Sequence, residues 1–186
     1  MDDCLKFLLE AAHLGLDCIL AIATVCLAIY TYKLVTATQA LFKETKAAAE
    51  KQLGVTTWLD FVKRFDSPQM DKARSKLATD ISQKLPTIDE ELPEFYEELG
   101  ICYTQHCIDR KLAHSAFSYD AQHWWELVKP YVETMRKEKG EEFYCEWEAM
   151  LIAMRKQFPN DPVVTPEMAV KYLKAELGPS ILDTLH

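Results

Sequence analysis

The chain has 186 residues, 29 acidic against 21 basic side chains for a net charge of −8, 49% hydrophobic residues and only 5 glycines. Its length suits one domain with a short extra segment, and the acidic balance argues against a nucleic-acid binder, which needs a basic surplus. Scarce glycine and long apolar periodicities point to helices rather than a turn-rich β fold.

The first element is the apolar run "CILAIATVCLAIYTY" at residues 18–32. From Leu14 to Tyr32 there are 19 residues with one charge, Asp17, and a spanning helix needs about 20 apolar residues. Tyr30 and Tyr32 sit at one edge, where amphipathic rings suit a membrane interface, and Lys33 follows directly. Three other readings compete. A soluble core helix or an interfacial helix needs a polar stripe, and only Thr24 and Thr31 interrupt residues 18–32. A cleaved signal peptide could end at "VTA" (35–37), but the chain begins Met-Asp-Asp, not basic, and Lys33 precedes that site. A retained transmembrane helix therefore leads. Lys6 stands alone before it, whereas Lys33, Lys43, Lys46 and Lys51 follow, which favours the N-terminus outside and the remainder in the cytoplasm. Asp17 reads better as a helix-end carboxylate among headgroups than as an ion-carrying group. Thr24 and Ala28 form a weak small-xxx-small pair.

Six cysteines, Cys4, Cys18, Cys26, Cys102, Cys107 and Cys145, are scattered over the run and later helix-like segments. This suggests buried free thiols in a reducing compartment rather than a disulfide framework.

Helix-forming residues continue the first element to Gly54, the first breaker. Leu34, Leu41, Ala48 and Val55 recur every seven residues, one reading of which is a coiled-coil stalk. Trp58, Leu59, Phe61, Val62 and Phe65 then share a face. Ser67 and Pro68 suit the cap and first turn of a helix with Met70, Ala73, Leu77 and Ile81 inward. Pro86 interrupts, and Thr87 with Glu90 has capping-box spacing before Leu92, Phe95, Tyr96, Leu99, Cys102 and Tyr103. Asp109 suits the cap of a short helix through Leu112 and Phe117, with Ser118 or Asp120 beginning another. That next helix carries Trp124, Trp125, Val128, Tyr131, Val132 and Met135, with a kink or break expected at Pro130 and a stop at Gly140. A further helix is expected over residues 141–158 through Phe143, Trp147, Met150, Leu151, Met154 and Phe158. The last runs from Thr165 and Pro166 through Ala169, Tyr172, Leu173 and Leu177 to Gly178 and Pro179.

These patterns predict an all-α fold: an N-terminal transmembrane helix continuing into a cytoplasmic helical bundle. They divide the chain into an extracytoplasmic N-terminus (1–13), a transmembrane helix (14–33), a juxtamembrane helical linker (34–54) and a cytoplasmic helical domain (55–186).

The chemistry-bearing motifs are few. No GxGxxG, P-loop, HExxH, CxxC or GxSxG is present. In "CYTQHC", Cys102 and His106 are four apart and would share a helix face beside Cys107, with His114, His123 or Cys145 as further metal ligands. Their spacing matches no zinc module, and we expect two buried cysteines and a half-exposed histidine. Asp89, Glu90, Glu91, Glu94, Glu97 and Glu98 crowd one segment; a cation site is one reading and a solvated helix face the better one. Residues 61–85 carry six cations against three acids, suited to lipid headgroups or, more simply, to charge pairing with the acidic stretch that follows.

Two segments, "RFDSPQMDKARSKLA" (64–78) and "HWWELVKPYVETMRKEKG" (123–140), together with the N-terminal span, resemble the bacterial domain of unknown function 4760 family. The matching positions are Phe65, Asp66, Ser67, Pro68, Trp124, Trp125, Pro130 and Arg136, and the resemblance covers roughly residues 1–155, leaving the tail after Phe158 outside. It implies a single-pass membrane protein with a helical cytoplasmic region; the family carries no established activity, so the resemblance transfers architecture and nothing catalytic. No catalytic, cofactor-binding or metal residue is assigned. The expected partners are the lipid bilayer and another protein or a second copy, and the expected function is a non-enzymatic interaction or regulatory module. A small membrane effector acting through its span is the alternative, and a metal-dependent enzyme the third reading.

Overall fold

The computed structural model describes the backbone of residues 2–177 and the side chains of Gly15 and of residues 19–177. Six helices and no strand occur among these residues: α1 (Asp2–Phe65), α2 (Pro68–Ser82), α3 (Glu91–Thr104), α4 (Arg110–Lys139), α5 (Cys145–Gln157) and α6 (Pro166–Leu177). The chain forms two compact units, Met1–Ala49 and Glu50–His186. The expected stop at Gly178 and Pro179 lies outside the described residues.

In the first unit α1 is a bare helix, and every residue from 19 to 49 is exposed. Its threonines do not compete with the helix. Thr24 Oγ donates to the Leu20 carbonyl and Thr31 Oγ to the Leu27 carbonyl, each at 2.8 Å, so their polar atoms are satisfied within the helix itself.

The second unit begins with the end of α1. The helix does not stop at Gly54; it continues to Phe65. Gly54 is buried, and its carbonyl accepts from Asp109 N at 3.4 Å. An added Cβ would stand 3.2 Å from that nitrogen, so the glycine serves a close approach between chains of backbone rather than a turn. α1 ends where Pro68 restricts the residue before it. Ser67 closes both helices there: its hydroxyl donates to the Arg64 carbonyl at 2.7 Å and accepts from Met70 N at 3.2 Å.

α3 is the centre of the bundle. Leu92, Phe95, Tyr96 and Leu99 are fully buried, and Phe61 and Phe65 of α1 and Phe117 of α4 meet Phe95 with ring centroids 5.5–5.8 Å apart. Tyr96 stacks on Trp147 of α5 at 4.6 Å, and Trp125 meets the same indole edge-on at 5.2 Å. Each such ring contributes roughly 1.5–3 kcal/mol by burial, with about 0.5–1.5 kcal/mol more for each well-placed pair.

Several local expectations give way to packing. The Thr87–Glu90 capping box does not form, because α3 starts only at Glu91; Asp89 Oδ1 accepts from Glu91 N instead, and Asp80 accepts from Asp89 N. Asp109 caps α4 as expected, accepting from Lys111 N and Leu112 N at 3.0 Å. The helix then passes Ser118, Asp120 and Pro130 without a break. Its buried stripe of Ala113, Phe117, Ala121, Trp124, Val128 and Val132 is continuous, and Pro130 lies on the exposed side, where a missing N–H is tolerable. Gly140, at φ 116°, ends α4. α5 begins at Cys145, not Glu141, after a turn in which Tyr144 is left-handed at φ 53°. Arg136 holds that turn, donating to the carbonyls of Phe143 and Tyr144 and to Glu148.

Tyr144 gives α5 no side-chain cap. The cap comes from α3: Glu97 accepts from Glu146 N at 3.2 Å and from Trp147 N at 2.8 Å. Glu97→Ala is expected to destabilise the fold by about 1–3 kcal/mol, because two partly buried N–H groups lose an ionised acceptor. Glu97→Gln should lose less, and urea midpoints of the three proteins measure the order.

Burial holds the phenols of Tyr96, Tyr144 and Tyr172 in the protonated form, each above the usual tyrosine value of 10.0, with the acids around them acting in the same direction. The unfolded chain releases these protons near pH 10 while the folded chain keeps them, so stability is full below that pH and falls above it by about 1.4 kcal/mol per pH unit for each retained proton. Urea midpoints between about pH 8 and 11 should show this decline. Tyr144→Phe should make it shallower by one proton's worth.

Candidate functional site

The most exposed feature is α1. Ile19, Leu20, Leu27 and Leu34 are 68–69% exposed, and the apolar window reaches a mean hydropathy of 1.8 with none of it buried. A core helix would have buried one face against the chain along its apolar stretch, and α1 buries none of its residues 19–49. It is long and apolar enough to cross a membrane. The side chains of Asp17, Cys4 and Cys18 lie outside the described residues.

The candidate ligands of "CYTQHC" do not share a helix face. α3 ends at Thr104, and His106 lies beyond it in a left-handed conformation, φ 61°, exposed with Cys107. Cys102 stays on the helix, partly buried. His114 pairs with Asp161 and stacks on Phe158, while His123 is buried, with Nδ1 2.7 Å from the Tyr119 carbonyl. No group of three or more His, Cys, Asp or Glu side chains able to hold a metal occurs among the described residues. Burial pushes the Cys102 and Cys145 thiols up, away from the thiolate form that a nucleophile needs. The expectation of buried thiols holds only in part: Cys102 and Cys145 are half-buried, Cys26 and Cys107 are exposed, and all four are free.

The acidic stretch does not converge on one point. Asp89 takes Lys76 at 2.7 Å, Glu91 accepts from Gln69, Glu98 pairs with Arg64, Glu90 accepts from Tyr131, and Glu97 caps α5. The basic and acidic stretches thus meet at Arg64–Glu98, between α1 and α3, and at Lys76–Asp89, between α2 and the loop before α3. Solvent at the exposed side of each pair screens the attraction, so neither pair holds the fold together by itself.

A polar cleft gathers residues that the sequence left in structural roles. Phe65, Asp71, Arg74, Ser75, Asp120, Tyr172 and Glu176 line about 410 Å³. Tyr172 donates to Asp120 at 2.7 Å across 52 residues of sequence, and Arg74 pairs with Asp71 while lying over the Phe65 ring. In the sequence Asp120 reads as a helix start and Tyr172 as one more apolar-face residue. The one available signal is that a tyrosine on a buried face needs a partner for its hydroxyl.

A family model described as Domain of unknown function (DUF4760) matches residues 18–154. The chain belongs to that family. The DUF4760 match starts within the apolar helix and ends in α5, so it takes in Asp120 and Tyr96 and leaves Tyr172 and Glu176 of α6 beyond it. Of the positions that carried the resemblance, Ser67 and Pro68 form the α1–α2 junction, Trp124 and Trp125 are core, and Arg136 ties the turn before α5. No curated protein and no solved structure matches the chain.

Proposed function

We propose that this DUF4760 protein is a single-pass membrane-anchored module, with its N-terminus outside and its helical domain in the cytoplasm, acting by binding another protein or a second copy rather than by catalysis. The observation that carries this reading is the apolar part of α1, whose residues 19–49 are all exposed and bury nothing against the chain. The orientation rests on Lys33, Lys43, Lys46 and Lys51 following the run against Lys6 before it. Free thiols at the four described cysteines fit a reducing side. The net charge of −8 argues against nucleic acid as the partner.

The test is fractionation of the full-length protein with alkaline carbonate extraction and protease protection in intact cells. Retention in the pellet, with the domain shielded, supports the reading. Release at full length as a soluble species sinks it. His106→Ala is expected to leave partner capture unchanged, since that side chain is exposed and outside any ligand group; loss of a metal-dependent activity in that variant would favour the enzyme reading.

A further inference from the structure

The bare stretch of α1 carries a seam with a strict seven-residue repeat. Leu20, Leu27, Leu34 and Leu41 alternate with Thr24, Thr31, Thr38 and Thr45 at steps of four and three, and Ala48 continues the series. Leucine thus takes every d position and threonine every a position over residues 20–45. The four leucines are 64–69% exposed. The repeat takes in both threonines of the apolar run and passes without a shift of register into the residues beyond it. A bilayer core takes about 20 residues of helix, so lipid covers the seam only as far as the Tyr32–Lys33 edge. Leu34, Leu41 and the flanking Phe42 are left in water, uncovered by their own chain. The occupant that covers both parts is another long helix.

The threonines supply a second, independent observation. Thr24, Thr31, Thr38 and Thr45 each donate Oγ to the carbonyl of the seam leucine one turn before, Leu20, Leu27, Leu34 and Leu41, all at 2.8 Å. Each hydroxyl is thereby satisfied inside the helix and can enter an apolar seam without the cost of an unpaired donor. Charge also lies off the seam. Between residues 33 and 49, Lys43 falls opposite it and Lys33 and Lys46 to its sides. Glu44 alone borders it, and in a parallel pair Glu44 meets Ala49 of the other copy, not a second acid.

We propose that α1 pairs with α1 of a second copy along this seam, as a parallel two-stranded coiled coil that starts within the membrane and continues into the stalk beyond it. The pairing rests on the membrane-anchored reading above. Copies inserted in one bilayer share direction and depth, so their seams stand parallel and in register, leucine against leucine and threonine against threonine. No unrelated helix is delivered in that way, and the shared membrane removes part of the rotational and translational cost of association. β-branched residues at a with leucine at d favour two strands. From Leu20 to Ala48 the seam is about 42 Å long, and at a helix width of about 10–12 Å it offers about 1,000 Å² over two copies, the size at which specific interfaces begin. A straight helix drifts about 20° per heptad from such a seam, so the two copies keep contact by winding left-handed.

The test is disulfide trapping of the full-length protein in membranes of the cells that express it, with copper–phenanthroline as oxidant. Thr38→Cys, Leu41→Cys and Thr45→Cys are each expected to give a cross-linked dimer, because a and d side chains meet their own counterparts at the close β-carbon approach that a disulfide needs. Gln39→Cys and Lys43→Cys, off the seam, should stay at the level of the unmodified chain, whose own cysteines set the background. Adding Leu41→Glu to Thr38→Cys should lower the dimer about tenfold. That doubly changed protein should stay in the carbonate-resistant pellet, because residue 41 lies beyond the span. Equal cross-linking at all five positions, none at the seam positions, or a seam adduct with a different protein would each overturn the pairing while the pellet still holds the chain. Release of the wild-type chain by carbonate would instead overturn the membrane reading itself, and the pairing with it.

Discussion

Gly100→Ala is expected to destabilise the helical domain by about 1–5 kcal/mol, although alanine is normally the better helix former by about 1 kcal/mol. Gly100 lies in α3 where α5 begins against it. A Cβ there would stand 2.4 Å from the Glu146 carbonyl oxygen, 2.5 Å from its carbon and 2.8 Å from Trp147 N. All three are backbone atoms, so no side chain can swing aside. Relief requires α3 and α5 to move apart, which costs about 1–3 kcal/mol as overpacking. It also stretches the two hydrogen bonds from Glu146 N and Trp147 N to Glu97, which sits on the preceding turn of α3. Losing that cap adds about 1–3 kcal/mol. The sum is a large share of the roughly 5–15 kcal/mol that holds a domain folded. A fall of several degrees or more in thermal midpoint is the readout. The other glycines grade the result. Gly54→Ala, with Cβ 3.2 Å from Asp109 N, should fall between, and Gly15→Ala, with nothing within 4 Å, should match the wild type. A wild-type midpoint for Gly100→Ala would mean that α3 and α5 do not pack as described.

What the sequence discloses about this fold is what is local. Ser67 and Pro68 mark a helix junction because cap, proline and apolar stripe lie within fifteen residues of one another, and Asp109 marks α4 in the same way. Ser118, Asp120 and Pro130 send the same kind of local signal and are overruled, because α4's buried stripe, from Ala113 to Val132, packs continuously past them. Tyr144 gives no warning of its left-handed backbone, since nothing but a glycine or asparagine usually announces one. The cap of α5 is invisible for another reason: Glu97 stands 49 residues from Glu146, and only tertiary packing brings them together. The cleft is hidden alike, with Asp120 and Tyr172 drawn from helices 52 residues apart. The supposed face of Cys102 and His106 shows the converse error. A spacing of four is a face only while the helix lasts, and α3 ends between them.

Ala23→Arg combined with Val25→Arg is expected to release the protein from the carbonate-resistant membrane fraction without unfolding its helical domain. Both positions lie near the middle of the apolar run, and Val25 is 59% exposed. At a bilayer centre each arginine costs about 2.5–3.5 kcal/mol, so the pair costs about 5–7 kcal/mol, against a gain of only about 0.3–0.6 kcal/mol for each Leu, Ile or Val in the span. Snorkelling lowers that cost for a residue near an edge but serves little at the centre. The domain from Glu50 onward should keep its urea midpoint, because residues 19–53 are exposed along their whole length and contribute nothing to its buried core. Lys33→Leu is the control, and it should leave the protein in the pellet. The two readouts separate the competing accounts of α1. If the apolar face were covered by a second copy in water rather than by lipid, the arginine pair would break that oligomer, and wild-type protein would already appear in the carbonate supernatant. Release by the arginine pair alone, with an unchanged domain midpoint, is the combination that only a membrane-held helix gives.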